Sequence, residues 1–147
     1  MAITPTQLLQ LSRQYGRFYH RQFIPLLEET GLSMREVHVL LFLANNPEYD
    51  TARDVAEFRS LSKSQVSQAV DFLVAEGFLL RTPDLTDRRV IHLSLTEDAL
   101  PLTKQAQALQ AECGRQLLSG ISAEQEKQLQ LILEIMLKNG AKLGGEG

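Results

Sequence analysis

The chain has 147 residues, 44% of them hydrophobic and 22% charged, with a net charge of −3; this is one domain's worth of polypeptide, able to bury a real core. That balance excludes a globally basic nucleic-acid binder, so any affinity for an acidic polymer must come from local placement of charge. No apolar run approaches the ~18 residues of a membrane span, the opening residues do not read as a signal peptide, and the single Cys113 excludes an intrachain disulfide. These features predict a cytoplasmic protein with no membrane partner.

In chain order, helical signals come first. Thr4 and Pro5 read as an N-cap with proline at the first helical position. Behind them Leu8, Leu11, Tyr15, Phe18, Tyr19 and Phe23 recur at three- and four-residue spacing. Pro25 is expected to kink or interrupt this helix before Gly31 ends it. Ser33 to Glu36, SMRE, forms a capping box for a second helix with the buried body VHVLLFLA, stopped by Asn45, Asn46 and Pro47. Thr51 to Asp54 resembles another box and opens a short third helix. Ser62 and Gln65 cap a fourth, expected to run to Gly77.

After Gly77 the apolar period drops from about 3.6 to 2. FLLRT and RVIHLSL each alternate, and PDLTD between them predicts a two-stranded hairpin with a long loop. Thr96 is expected to cap a fifth helix with the stripe Leu102, Ala106, Leu109, Cys113 and Leu117. Pro101 predicts an irregular first turn, with regular helix from near Leu100. Ser122 and Gln125 cap a sixth helix carrying Leu129, Ile132, Leu133, Met136 and Leu137. The tail is expected to be disordered.

Three short helices followed by a hairpin, over residues 33–95, is the order of a winged helix-turn-helix, whose second motif helix enters the DNA major groove. Steps of 100° along the fourth helix turn Val66, Ala69, Val70 and Leu73 to the core. Ser64, Ser67 and Gln68 point the opposite way, with Lys63 at the N-terminal flank. Short polar side chains let a helix approach base edges, glutamine can pair with adenine, and the amides at the helix start favour phosphate. Ser62, Lys63, Ser64, Gln65, Ser67 and Gln68 are therefore candidate DNA contacts, while the outward Asp71 belongs at the rim of the groove. Arg59 and Lys63 lie in a stretch, 59–70, without an acidic residue. Arg88 and Arg89 add charge at the hairpin tip, where Asp87 can hold a guanidinium through a bidentate pair, and an arginine on an extended hairpin suits the minor groove. The bland alternatives are a solvated helix face and a surface ion pair with Asp84 or Asp87.

The stretch SKSQVSQAVDFLVAEGFLLRTPDLTDRRVIHLSLTE resembles the recognition helix and wing of the MarR family of bacterial transcription regulators. Asp87-Arg88-Arg89 matches that family's Asp-x-Arg wing pattern, which implies that Arg89 is the minor-groove residue and Asp87 its orienting partner. Ala99, where a glycine is common, and Pro101 depart from the pattern. The implied fold is mainly α with a small β-hairpin: a winged helix-turn-helix at 33–95 flanked by dimerisation helices at 1–32 and 96–140, with a disordered tail at 141–147. The flanking helices carry apolar stripes that one small winged domain cannot bury by itself, which supports a homodimer on a pseudo-palindromic double-stranded operator.

The resemblance also implies a small aromatic ligand, bound between dimer helices and winged module, that releases a repressor from DNA. Tyr15, Tyr19, His20 and His38 are candidates for that pocket; core and interface packing is the plainer account of them. Some relatives sense oxidants through a first-helix cysteine, and none stands there; Cys113, on the stripe of the fifth helix, reads as a buried, inert thiol. His20, His38 and His92 have no Cys/His neighbour at ligand spacing, so no metal site or other cofactor is expected. No nucleophile motif, phosphate-cradling glycine loop or other catalytic residue appears, so no enzyme is expected. The rival reading is a winged-helix interaction or dimerisation module without a DNA target, and activation is the alternative to repression.

Overall fold

The computed structural model describes residues 2–144. It contains α1 (Pro5–Thr30), α2 (Met34–Asn45), α3 (Ala52–Arg59), α4 (Lys63–Ala75), β1 (Leu79–Pro83), β2 (Ile91–Leu95), a 3-10 turn (Glu97–Ala99), α5 (Leu100–Leu117) and α6 (Ala123–Gly144). The chain divides into two units, residues 1–113 and 114–147.

Reciprocal capping boxes start most of these helices. Thr4 with Gln7, Ser33 with Glu36, Thr51 with Asp54 and Ser62 with Gln65 each exchange side-chain and backbone hydrogen bonds. At α6 the Ser122 N–H donates to Gln125 Oε1 at 2.9 Å, and the Gln125 N–H donates to Ser122 Oγ at 3.2 Å. Each cap is worth about 1 kcal/mol, so the helix starts are fixed locally.

α1 corrects half of one expectation: Pro25 does not interrupt it. The missing N–H and ring clash of an interior proline cost about 3 kcal/mol. Phe23 and Leu26 flank it and are 0% and 1% exposed, and burying two such side chains returns roughly 1.5–3 kcal/mol each. The helix ends where expected, at Gly31, whose φ of 72° is left-handed and whose N–H donates to the Leu27 carbonyl.

In the first unit the core is built from Phe23 and Leu26 of α1, Val37 and Val39 to Leu43 of α2, Val55, the α4 stripe Val66, Ala69, Val70 and Leu73, Leu79 and Leu93 of the hairpin, and Leu102 and Ala106 of α5. The strands pair antiparallel, Leu79 opposite Leu95 and Pro83 opposite Ile91. α4 stops at Ala75, two residues short of the expected Gly77, which takes a left-handed φ of 82°. Thr96 occupies the cap position before the 3-10 turn but does not cap: its hydroxyl donates to the Gly77 carbonyl at 2.6 Å, tying the hairpin's exit to its entry. Regular helix then begins at Leu100, after the irregular turn that Pro101 predicts. Cys113 is buried, and that burial raises its thiol pKa.

In the second unit α6 reaches Gly144, so residues 141–144, expected in a disordered tail, are helical; residues 145–147 lie outside the described range. No residue of α6 is buried, and Leu129, Ile132, Leu133 and Met136 make an exposed apolar stripe. Among the described residues no helix is long and apolar enough to cross a membrane.

Leu73 is fully buried and holds α4 against the body. Leu73→Ala is expected to lower the unfolding free energy by about 2–5 kcal/mol in urea titration, with the slope unchanged.

Candidate nucleic-acid interface

The turn between α3 and α4 is made by Ser60, the only non-glycine residue with positive φ among those described, at 54°. A left-handed serine costs about 1 kcal/mol. It is held by its own N–H, which donates to the Ala56 carbonyl, and by the Leu61 N–H, which donates there too at 3.1 Å.

On α4, Lys63, Ser64, Ser67 and Gln68 are exposed on one side while the apolar stripe is buried on the other. Two candidate contacts are already engaged. Ser62 Oγ accepts from the Gln65 N–H at 3.0 Å, and Gln65 Oε1 accepts from the Ser62 N–H at 3.0 Å, so both serve the helix start. Asp71, expected at the rim, is bonded to the Arg81 guanidinium of β1. Arg81 was not anticipated as part of this surface: by alternation it shares the face of the buried Leu79 and stands opposite the buried Leu93, so the strand pattern gave no signal for it.

The wing turn is organised by carboxylates. Asp84 Oδ2 accepts from the Thr86 N–H at 3.1 Å, the Thr86 hydroxyl at 2.9 Å and the Asp87 N–H at 3.0 Å. Asp87 in turn holds Arg89 as the sequence suggested. Arg89 Nε donates to Oδ1 at 3.2 Å, Nη2 donates to Oδ2 at 3.3 Å, and the backbone N–H donates to Oδ1 at 3.0 Å. The Arg89 side chain is nonetheless 91% exposed. A guanidinium fixed at one edge and open at the rest is pre-aimed, at little further entropic cost on binding. That arginine holds the Asp87 carboxyl below the ordinary range; His92 and the turn N–H groups do the same more strongly to Asp84. Arg88 is exposed beside it. Between the start of α3 and the wing lies a cleft of about 580 Å³ lined by Thr51, Ala52, Arg53, Asp87, Arg89, Val90 and Ile91. Arg53, another exposed residue not singled out from sequence, thus faces the same space as Arg89.

The candidate ligand residues separate. His38 lines a cavity of about 80 Å³ with Leu41, Phe42, Asn45, Asn46, Arg59 and Gln110. Tyr19 reaches it indirectly: Gln110 Nε2 donates to the Tyr19 hydroxyl at 2.8 Å, and the Tyr19 and His38 rings lie 6.0 Å apart. Tyr15 stands one step further out, 6.0 Å from Tyr19, and His20 is exposed. Burial, reinforced by the Arg59 and His20 charges, pushes His38 down to about 4, so it is neutral at pH 7. The polar lining, Asn45 bonded to Gln110 at 3.0 Å and to Gln107 at 2.9 Å, comes from elements over sixty residues apart and left no local signal. Among the described residues no group of three His, Cys, Asp or Glu side chains is placed to hold a metal ion.

Comparison with known proteins agrees with this architecture. The MarR family model matches residues 30–90. The chain is 25% identical over 118 residues to the homoprotocatechuate degradative operon repressor of Escherichia coli, covering 80% of this chain and 79% of that one. It is similar to the structure of the transcriptional regulator PA3341, at 28% identity and a TM-score of 0.79, over 93% of this chain and 97% of the other. It also shares its fold with S. aureus MepR in a complex with DNA, at 20% identity and a TM-score of 0.74, over 92% and 96% of the two chains. The first of these proteins is named as an operon repressor and the second as a transcriptional regulator.

Because Asp84 ties down the Thr86 and Asp87 N–H groups, Asp84→Ala is expected to speed hydrogen exchange at those two amides while the α2 and α4 core amides keep their protection. Unchanged exchange at both would show that the turn stands without its carboxylate.

Proposed function

We propose that this protein, whose residues 30–90 match the MarR family model, is a cytoplasmic, dimeric, sequence-specific DNA-binding regulator of transcription, acting as a repressor that a small aromatic ligand releases. The observation that carries the reading is Arg89, gripped by both Asp87 oxygens and 91% exposed on the wing. In this reading Ser64, Ser67 and Gln68 meet base edges in the major groove, and Lys63 with the amides at the α4 start meets phosphate. Arg89 enters the adjoining minor groove, and Arg88 adds charge to the backbone there. Ser62 and Gln65 act through the helix start they cap.

Dimerisation is supported by apolar side chains that the single chain leaves exposed, Leu8 and Leu11 on α1 and Ile132, Leu133 and Met136 on α6. Two modules related by a twofold axis would put their recognition helices about 34 Å apart, one turn of DNA. Repression is the mode that the E. coli relative's name states for that protein. For the ligand, the His38–Arg59 cavity offers one cation, a neutral imidazole and amide groups, a set that suits a phenolic acid. Its volume of about 80 Å³ is near half of the ~150 Å³ that accepts a benzene ring. A ligand of that size would therefore extend beyond it toward Tyr19 and Tyr15.

Fluorescence anisotropy with the duplex upstream of the protein's own gene, against a scrambled duplex at two salt concentrations, tests the reading. Preference for the upstream duplex, weakening steeply with salt, is expected. Arg89→Ala should cost about 1–3 kcal/mol of that affinity with the dimer intact. Affinity unchanged by Arg89→Ala would favour an interaction module without a DNA target. Asp71→Asn, which removes the carboxylate from Arg81, should strengthen binding to both duplexes and steepen the salt dependence by about one unit.

A further inference from the structure

His92 is the second residue of β2, and both of its ring nitrogens are bonded to carboxylates: Nδ1 to Asp50 Oδ1 at 2.8 Å and Nε2 to Asp84 Oδ1 at 2.7 Å. A carboxylate only accepts, and a neutral imidazole has a single N–H. A neutral ring could satisfy one aspartate and would turn a lone pair toward the other. Both bonds coexist only when the ring carries two protons.

The two aspartates belong to different parts of the module. Asp50 lies in the connection between α2 and α3, and its carbonyl also accepts from the Leu93 N–H at 2.7 Å. Asp84 opens the wing turn, where its N–H donates to the Val90 carbonyl at 2.9 Å. Its second carboxylate oxygen holds Thr86 and Asp87, and Asp87 holds Arg89. One unbroken series of bonds therefore runs from the helix-turn-helix body, through the ring, to the exposed guanidinium.

We infer that His92, in its doubly protonated form, is a positioning residue for DNA reading: it clamps the wing turn to the α2–α3 connection and, through Asp84 and Asp87, fixes how Arg89 is presented. This rests on the DNA-binding reading above. The charged groups that act on the ring are Asp84 from the wing and Asp50 from the connection, and Thr82 is its cross-strand neighbour on β1. Asp87 acts one step away, on Asp84. The two carboxylates raise the ring's pKa above an ordinary histidine's. A folded-state value raised in this way means the clamp is complete at low pH and is lost as pH rises through that value. With its side chain 37% exposed, the ring exchanges protons with solvent without unfolding.

The test follows the clamp with and without DNA, on the 147-residue protein at constant ionic strength. In the free protein, ¹⁵N NMR of the imidazole should report a doubly protonated ring below a midpoint above 6.5, and the Arg89 Nε–H signal should move with that midpoint. With the upstream duplex, affinity should fall at least about threefold between pH 6 and pH 9. His92→Gln should bind at the weaker, high-pH level throughout, and Arg89→Ala should also flatten the profile, because the clamp acts through Arg89. A His92 that merely packs would let His92→Gln shift the melting temperature and leave the pH slope of binding intact, which overturns the inference. So does an Arg89 signal that ignores the ring's titration. If the wild-type protein binds no duplex at any pH, the DNA-binding reading fails, while the two NMR midpoints still decide whether the clamp controls Arg89. Should His92→Gln not fold, Asp84→Asn breaks the same bond from the other side.

Discussion

The outward chemistry of this protein depends on one buried stripe. Val66, Ala69, Val70 and Leu73 are each at most 3% exposed, packed in a cluster with Val37, Leu40 and Leu41 of α2. Four side chains on one arc leave the helix a single rotational setting, because turning it by one residue would exchange a buried valine for a serine or glutamine. Ser64, Ser67 and Gln68 are exposed as a consequence of that setting. The cap at Ser62 then fixes where the helix begins, and the left-handed Ser60 fixes the turn that delivers it. A core contact worth several kcal/mol thus decides the orientation of surface groups whose own bonds are worth far less.

The wing has no comparable core. Leu79 and Leu93 are its buried residues, and Ile91 near the tip is 36% exposed. Two strands with so little apolar cover are marginal by themselves. Order at the tip comes instead from acceptors placed among donors: Asp84 at the turn amides, Asp87 at Arg89, and the His92 ring between Asp84 and Asp50. These bonds are partly solvated, so each contributes little to global stability. Their effect is local, narrowing the conformations of a loop that would otherwise sample many.

What was legible in the sequence was what short separations encode. The capping boxes span three residues, the helix-to-strand change of period is read within a window, and the Asp87–Arg89 pair is two residues apart. Pro25 does not interrupt its helix because a local rule about proline meets a tertiary fact, the burial of Phe23 and Leu26 on either side of it. The His92 bridge stayed hidden for a different reason: Asp50 is forty-two residues away, and only the fold brings it to the ring. The same holds for Asn45 with Gln110, whereas the Asp71–Arg81 pair needed the relative placement of α4 and β1. Exposure separated the ligand candidates, since a helical period gives a face but not its depth. His20 and Tyr19 are adjacent, and only Tyr19 turns inward far enough to meet Gln110.

Charge placement resolves the tension between a net charge of −3 and a surface suited to an acidic polymer. A lone carboxylate about 6 Å from a phosphate costs roughly 0.7 kcal/mol even at the dielectric of water, and more beside a low-dielectric protein wall. Three acids of α4 and the wing are not alone. Asp71 is bonded to Arg81, Asp87 to Arg89, and Asp84 to His92 and the turn amides. Each negative charge is drawn toward a donor of the module itself, while Lys63, Arg88 and the far edge of Arg89 remain exposed. The same carboxylates that would repel a phosphate if unpaired are thereby the groups that order the cations, so the acids at this face are structural parts of a locally positive surface rather than exceptions to it.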